Sequence, residues 1–127
     1  MTEELEEYLL VVEIPGKRLA KIKFIRVLAP ITIQQILKKL PAPTRIIKFG
    51  KKLLMNLPLR VKIEKPSKKV EGGDVAYWPM SQALCIYLEE TETPSPVVIV
   101  GKVVEGLEIL REIPSGTGVT IRKVNGA

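Results

Sequence analysis

The chain has 127 residues, 46% hydrophobic and 27% charged, with a net charge of +6. It therefore reads as one globular domain rather than a disordered segment. It has no His and a single Cys, which excludes His-dependent acid–base and nucleophilic catalysis, His-ligated or Cys-built zinc sites and an internal disulfide.

No apolar run reaches the ~18 residues of a membrane span. Neither GxxxxGK[ST] nor GxGxxG is present to cradle nucleotide phosphates. No cofactor and no metal are expected. The N-terminal stretch MTEELEEYLLVVEI is acidic and lacks the basic region and small-residue cleavage site of a signal peptide. With one unpaired thiol, a reducing, cytoplasmic setting is the expectation. Asn, Gln, Cys and His are scarce and Lys, Arg and Glu plentiful, a composition found in many thermophile proteins.

Charge falls in three blocks. Residues 1–13 hold five acids and no base, residues 14–70 hold sixteen bases against Glu64, and residues 71–127 hold four bases against eight acids. No linker composition separates these blocks, so residues 1–127 are read as one body with a basic side.

Strand patterns dominate. EYLLVVEI (7–14) and KIKFIRVL (21–28) flank Pro15-Gly16 and predict a hairpin; in the second, Ile22, Phe24 or its neighbour Ile25, and Val27 are set against Lys21, Lys23 and Arg26. In TIQQILKK, Ile33, Ile36, Leu37 and Leu40 share one helical face. Thr32 with Gln35 reads as a capping box, and Pro41 and Pro43 stop the helix. RIIKFG (45–50) and KLLMNL (52–57) predict a second hairpin around Gly50-Lys51. LRVKIEK (59–65) alternates as a half-buried strand, and KPSKKVEGG as a polar loop. DVAYW and ALCIYLEE are strands on either side of an abrupt turn. After a TETPSP loop, VVIVGKVV (97–104) is a strand whose internal Gly101 signals a bulge or a close approach. Leu107, Leu110 and Ile113 mark a second short helix, and GVTIRKV (118–124) a last strand. Short strands without long helical crossovers predict a mainly β, closed eight-stranded barrel with two short helices.

At VVIVGKVVEGLEILREI the chain resembles the strand-to-helix segment of cyclophilins. Gly101, Lys102, Val103, Glu105 and Gly106 stand in matching order. GDVAYWP and ALC add a second motif, in which Gly73, Asp74, Val75, Tyr77, Trp78, Pro79, Ala83, Leu84 and Cys85 match. Together they resemble a small prokaryotic cyclophilin-like family. The resemblance implies a compact eight-stranded cyclophilin-like barrel. It also implies, at most, peptidyl-prolyl cis-trans isomerisation, a reaction that needs neither nucleophile nor proton transfer. The cyclophilin FHRV strand and QGGD-type segment have no match, and Arg60 in LPLRVKI is the candidate for the isomerase arginine. WPMSQ replaces the WPPG turn of the small family.

The expected function is a cyclophilin-like binding domain for a proline-containing peptide or small ligand, with no membrane partner. Its candidate ligand-binding residues are Arg60, Tyr77, Trp78 and Gln82. Tyr77 and Trp78 must face opposite sides of one strand, so at least one belongs to the core. Gln82 offers donors and an acceptor at a strand entrance. Cys85, with no nearby base, reads as an inert buried thiol. The alternative is anion or nucleic-acid binding through the basic face of residues 14–70. Phe24 and Phe49 are the only rings there for base stacking.

Overall fold

A computed structural model describes residues 6–124; the first five residues of the acidic N-terminal stretch lie outside it. Nine strands and two α-helices are present among the described residues. They are β1 (Glu7–Ile14), β2 (Arg18–Ile25), α1 (Pro30–Lys38), β3 (Ala42–Phe49), β4 (Lys52–Asn56) and β5 (Ser67–Val70). After these come β6 (Asp74–Trp78), β7 (Ala83–Tyr87), β8 (Thr91–Glu105), α2 (Leu107–Glu112) and β9 (Thr117–Lys123). The sheet runs β2-β1-β9-β3-β4-β7-β6-β8, and β8 returns to pair with β2. This closes an eight-stranded antiparallel barrel, which leaves no long edge open. The short β5 pairs only with the first part of β8.

Alternation along the strands sends one set of side chains inward. Leu10 and Val12 of β1, Ile22 and Phe24 of β2, Leu53 and Met55 of β4, and Leu84 and Ile86 of β7 are fully buried together. Ile33 and Ile36 of α1 and Leu110 of α2 join the same core. Each such side chain contributes about 1.5–3 kcal/mol relative to exposure. A second, smaller cluster lies on the outer face, where Val70, Ala76, Ala83, Cys85, Tyr87 and Val97 are buried beneath the β5–β8 ribbon.

Gly101 sits where β8 crosses β2 to close the ring. A Cβ there would fall 1.9 Å from the Lys23 carbonyl oxygen, so only glycine permits this closure. Gly106, with φ of +89°, starts α2; a Cβ there would lie 2.9 Å from the Ala20 Cα.

Three expectations are corrected. LRVKIEK (59–65) is not a strand: residues 57–66 run as irregular chain. The β2–β8 pairing already closes the ring, so no ladder position remains for it. Side chains pin this segment instead. The Tyr77 hydroxyl donates to the Leu57 carbonyl at 2.7 Å and accepts the Leu59 N–H at 3.1 Å. Lys65 Nζ donates to the Val27 carbonyl at 2.6 Å.

Secondly, TETPSP is not a loop, nor is KPSKKVEGG wholly one. Both contribute strand residues to the β5–β8 ribbon, with Lys69 opposite Glu92 and Val70 opposite Thr91. A register shift in β5 between Ser67 and Lys69 accompanies Pro94 and Pro96, which cannot donate to a ladder.

Thirdly, Thr32 and Gln35 form no capping box. Pro30 occupies the first turn after the Ala29 N-cap, its φ already fixed for a helix. The cap comes from the 57–66 segment: Glu64 accepts the Ile31 and Thr32 N–H groups and the Thr32 hydroxyl.

Candidate functional site

β3 and β4 are paired from Phe49–Lys52 as far as Ile46–Met55, and no further. Beyond that point β3 stays with β9 through Ala42–Ile121, while β4 stays with β7 through Asn56–Ala83. The two strands therefore part. Where the next ladder bonds would form, the Thr44 hydroxyl donates to the Asn56 carbonyl at 3.1 Å. The Leu57 N–H turns away to the Gln82 carbonyl at 2.9 Å. Prolines fit the parting: Pro41 and Pro43 lie on one wall and Pro58 on the other, and none has an N–H to contribute to pairing.

The wedge is a groove of about 1230 Å³. Ala42, Leu57 and Val119 are buried members of the core and form its inner end. Ile47 and Leu54, cross-strand partners on the outer face, extend the apolar floor. Thr44, Asn56, Ser81 and Thr120 supply polar groups, and Glu13, Lys39 and Arg45 the charges. Arg45 Nη1 donates to the Gly116 carbonyl at 2.9 Å, which holds the guanidinium beside the β3–β9 seam. Glu13 is paired with Arg122, Oε2 to Nε 3.3 Å. Gly118 is open to the groove: a Cβ there would meet nothing within 4 Å. A second hollow, of 210 Å³, lies between β1 and α1 beside Tyr8 and Leu37.

The four candidate residues read from sequence do not converge. Tyr77 is fully buried in the barrel core, and its hydroxyl is occupied by Leu57 and Leu59. Burial pushes this phenol above its ordinary value. Trp78 is half-buried on the opposite, outer face, as alternation requires. Its indole N–H donates to Ser95 Oγ at 2.5 Å, and Lys52 Nζ lies 3.9 Å from its ring centroid. That lysine is 7% exposed and also faces Phe49 and Tyr87 at 5.8 and 5.9 Å, so three rings surround one cation. Gln82 is exposed in left-handed conformation, φ 49°, at the end of the Pro79–Ser81 turn. Arg60 is exposed on the irregular 57–66 segment. None of the four lines the groove, although Ser81 and Ala83, flanking Gln82, do.

Trp78 and the groove are nevertheless neighbours. Leu54 and Ala83 line the groove and also belong to the outer cluster that packs Trp78. Ile47 and Phe49, 44% and 62% exposed, continue this apolar row along β3. Arg45 and Asn56 were not singled out from the sequence. The clustering of Pro41, Pro43 and Pro58 around them was the available signal, since prolines mark where sheet pairing stops.

Cys85 is buried in the outer cluster, and burial pushes its thiol up to about 12. The adjacent Tyr87 hydroxyl, also raised by burial, has no hydrogen-bond partner among the described residues. The uneven charge blocks fold onto each other. Lys21, Lys23, Arg26, Lys51 and Lys69 of the basic stretch pair with Glu105, Glu7, Glu6, Glu89 and Glu90. These pairs are solvent-exposed and screened, so they add little to stability. No described helix is long and apolar enough to cross a membrane.

The fold is shared with other proteins. The hypothetical protein AF2241 from Archaeoglobus fulgidus has a similar solution structure, with a TM-score of 0.76 and 25% identity over 98% of this chain and 100% of that one. A structure of McbB in complex with tryptophan is similar at a TM-score of 0.71, covering 93% of this chain and 45% of that one. Its 18% identity makes this a likeness of fold. No curated protein matches the chain. The family model described as Cyclophilin-like matches residues 13–122, most of the barrel together with both motif segments around Trp78 and Gly101, and the chain belongs to that family.

Proposed function

We propose that this cyclophilin-like barrel is a binding domain that seats a short, proline-containing peptide segment in the wedge between β3 and β4. The observation that carries this is the parting of the two strands. It opens an apolar groove on a barrel that is otherwise closed, and the groove is larger than the ~300–1,000 Å³ usual for small-molecule pockets. A proline ring would pack against Ile47, Leu54 and Ala83. Thr44, Asn56 and Ser81 would meet the amides on either side of it.

Binding is the claim. Isomerisation requires in addition a donor aimed at the proline nitrogen in the twisted amide, against a barrier of ~20 kcal/mol. In this reading that donor is Arg45, which lines the groove, rather than Arg60, which does not. Fold alone carries no activity. NMR exchange spectroscopy on a peptide with one X–Pro bond tests both statements. Broadening or shifts of the peptide on adding protein support binding, and exchange faster than in buffer would add catalysis. A peptide unaffected by an excess of protein would remove the proposal.

A further inference from the structure

The geometry points to a peptide C-terminus as the segment the wedge takes, with its carboxylate held by Arg45 and Lys39. This rests on the groove being a peptide site and adds what it selects. Three charged side chains line the groove. The acid among them, Glu13, already has Arg122 as partner. Neither Lys39 nor Arg45 has a carboxylate within 4.0 Å among the described residues. The groove thus carries unmatched positive charge beside an apolar floor, the complement of an apolar residue bearing a terminal carboxylate.

Arg45 is suited to it. One N–H is spent on the Gly116 carbonyl, which ties the guanidinium to the β3–β9 seam and leaves the rest of its fork open. A fixed guanidinium binds a carboxylate through paired, charge-assisted hydrogen bonds at little entropic cost. Recognition by strand addition is disfavoured at the same place, because Pro41, Pro43 and Pro58 remove donors from both walls. A terminal charge replaces those lost backbone contacts as the polar anchor. Internal peptide segments have no such charge and would lack it.

The test is a ¹⁵N NMR titration of the full chain with acetyl-Ala-Phe-Pro-Leu as the free acid and as the C-terminal amide. The expected result is shifts at Thr44, Arg45 and Gly118, with the acid binding about tenfold or more tightly than the amide. Arg45→Gln and, independently, Lys39→Gln should each reduce that preference, and thermal melts will show whether either variant is still folded. Equal binding of acid and amide would overturn the C-terminal assignment while leaving the groove as a peptide site. Binding of neither would overturn both. If 3-phenylpropionate binds as tightly as the peptide acid, the occupant is a small organic acid and the peptide assignment falls.

Discussion

Thr32 and Glu64, 32 positions apart in the chain, share one carboxylate oxygen: Glu64 Oε1 accepts the Thr32 N–H at 2.6 Å and the Thr32 hydroxyl at 2.8 Å. Burial on its own would raise this carboxyl. The hydrogen bonds from Thr32 and Ile31, with the nearby Lys65, outweigh it and hold the group below its ordinary value of 4.5. The contact does two jobs, capping α1 and anchoring the segment that follows β4.

Glu64→Ala should cost about 1 kcal/mol, the usual cost of losing an N-cap acceptor. A carboxyl depressed in the folded state contributes fully above its unfolded value, and the contribution is lost as pH falls through the folded value. The difference between wild type and Glu64→Gln in thermal melts should therefore be present at pH 7 and shrink at pH 3. A pH-independent difference would show that the charge of Glu64 is not what caps the helix.

Tyr77 holds the other end of the same segment. Tyr77→Phe leaves the Leu57 carbonyl and Leu59 N–H without their partner and should cost about 1–3 kcal/mol by urea unfolding. Amide exchange at Leu59 should accelerate in the variant. Unchanged protection there would mean that the segment is held by something other than the phenol.

Cys85 should be inert. With the thiol pushed up to about 12 and no exposed surface, it should not react with a disulfide reagent at pH 8 until denaturant is added. Rapid stoichiometric reaction in native buffer would contradict the burial of the outer cluster.

Gly101 is the tightest point of the barrel. Gly101→Ala places a methyl against the Lys23 carbonyl and should destabilise by about 3 kcal/mol or more, read as a fall in the melting temperature. A melt within two or three degrees of wild type would require β8 and β2 to separate at no cost.

Much of this architecture was legible in local pattern. The β1–β2 hairpin followed from alternation around Pro15-Gly16, the β3–β4 hairpin from Gly50, and α2 from Leu107 and Leu110. Gly101 announced a close approach. The strand expected at 59–65 failed because alternation is a local signal, whereas the number of strands a barrel admits is set by the distant β2–β8 closure. Its Leu59 is buried, but its Ile63 is exposed. The groove was not legible for the same reason. Its walls come from residues near positions 13, 41–47, 54–58, 81–83 and 118–120, and no one of these carries a motif. The aromatic stretch drew the sequence reading to Tyr77 and Trp78. Alternation correctly divided them between faces, but only the strand order reveals that Leu54 and Ala83 place Trp78 next to the groove rather than in it.

Mapping amide shifts on adding a proline-containing peptide to wild type and to Gly118→Val decides whether the β3–β4 wedge is the binding site. A Cβ at this position meets nothing within 4 Å and Val suits a strand, so the variant should fold, which a thermal melt checks. The wedge reading predicts shifts at Thr44, Arg45, Asn56 and Thr120 in wild type and their loss in Gly118→Val. Shifts centred instead on Arg60, Trp78 and Gln82, undiminished by Gly118→Val, would contradict it.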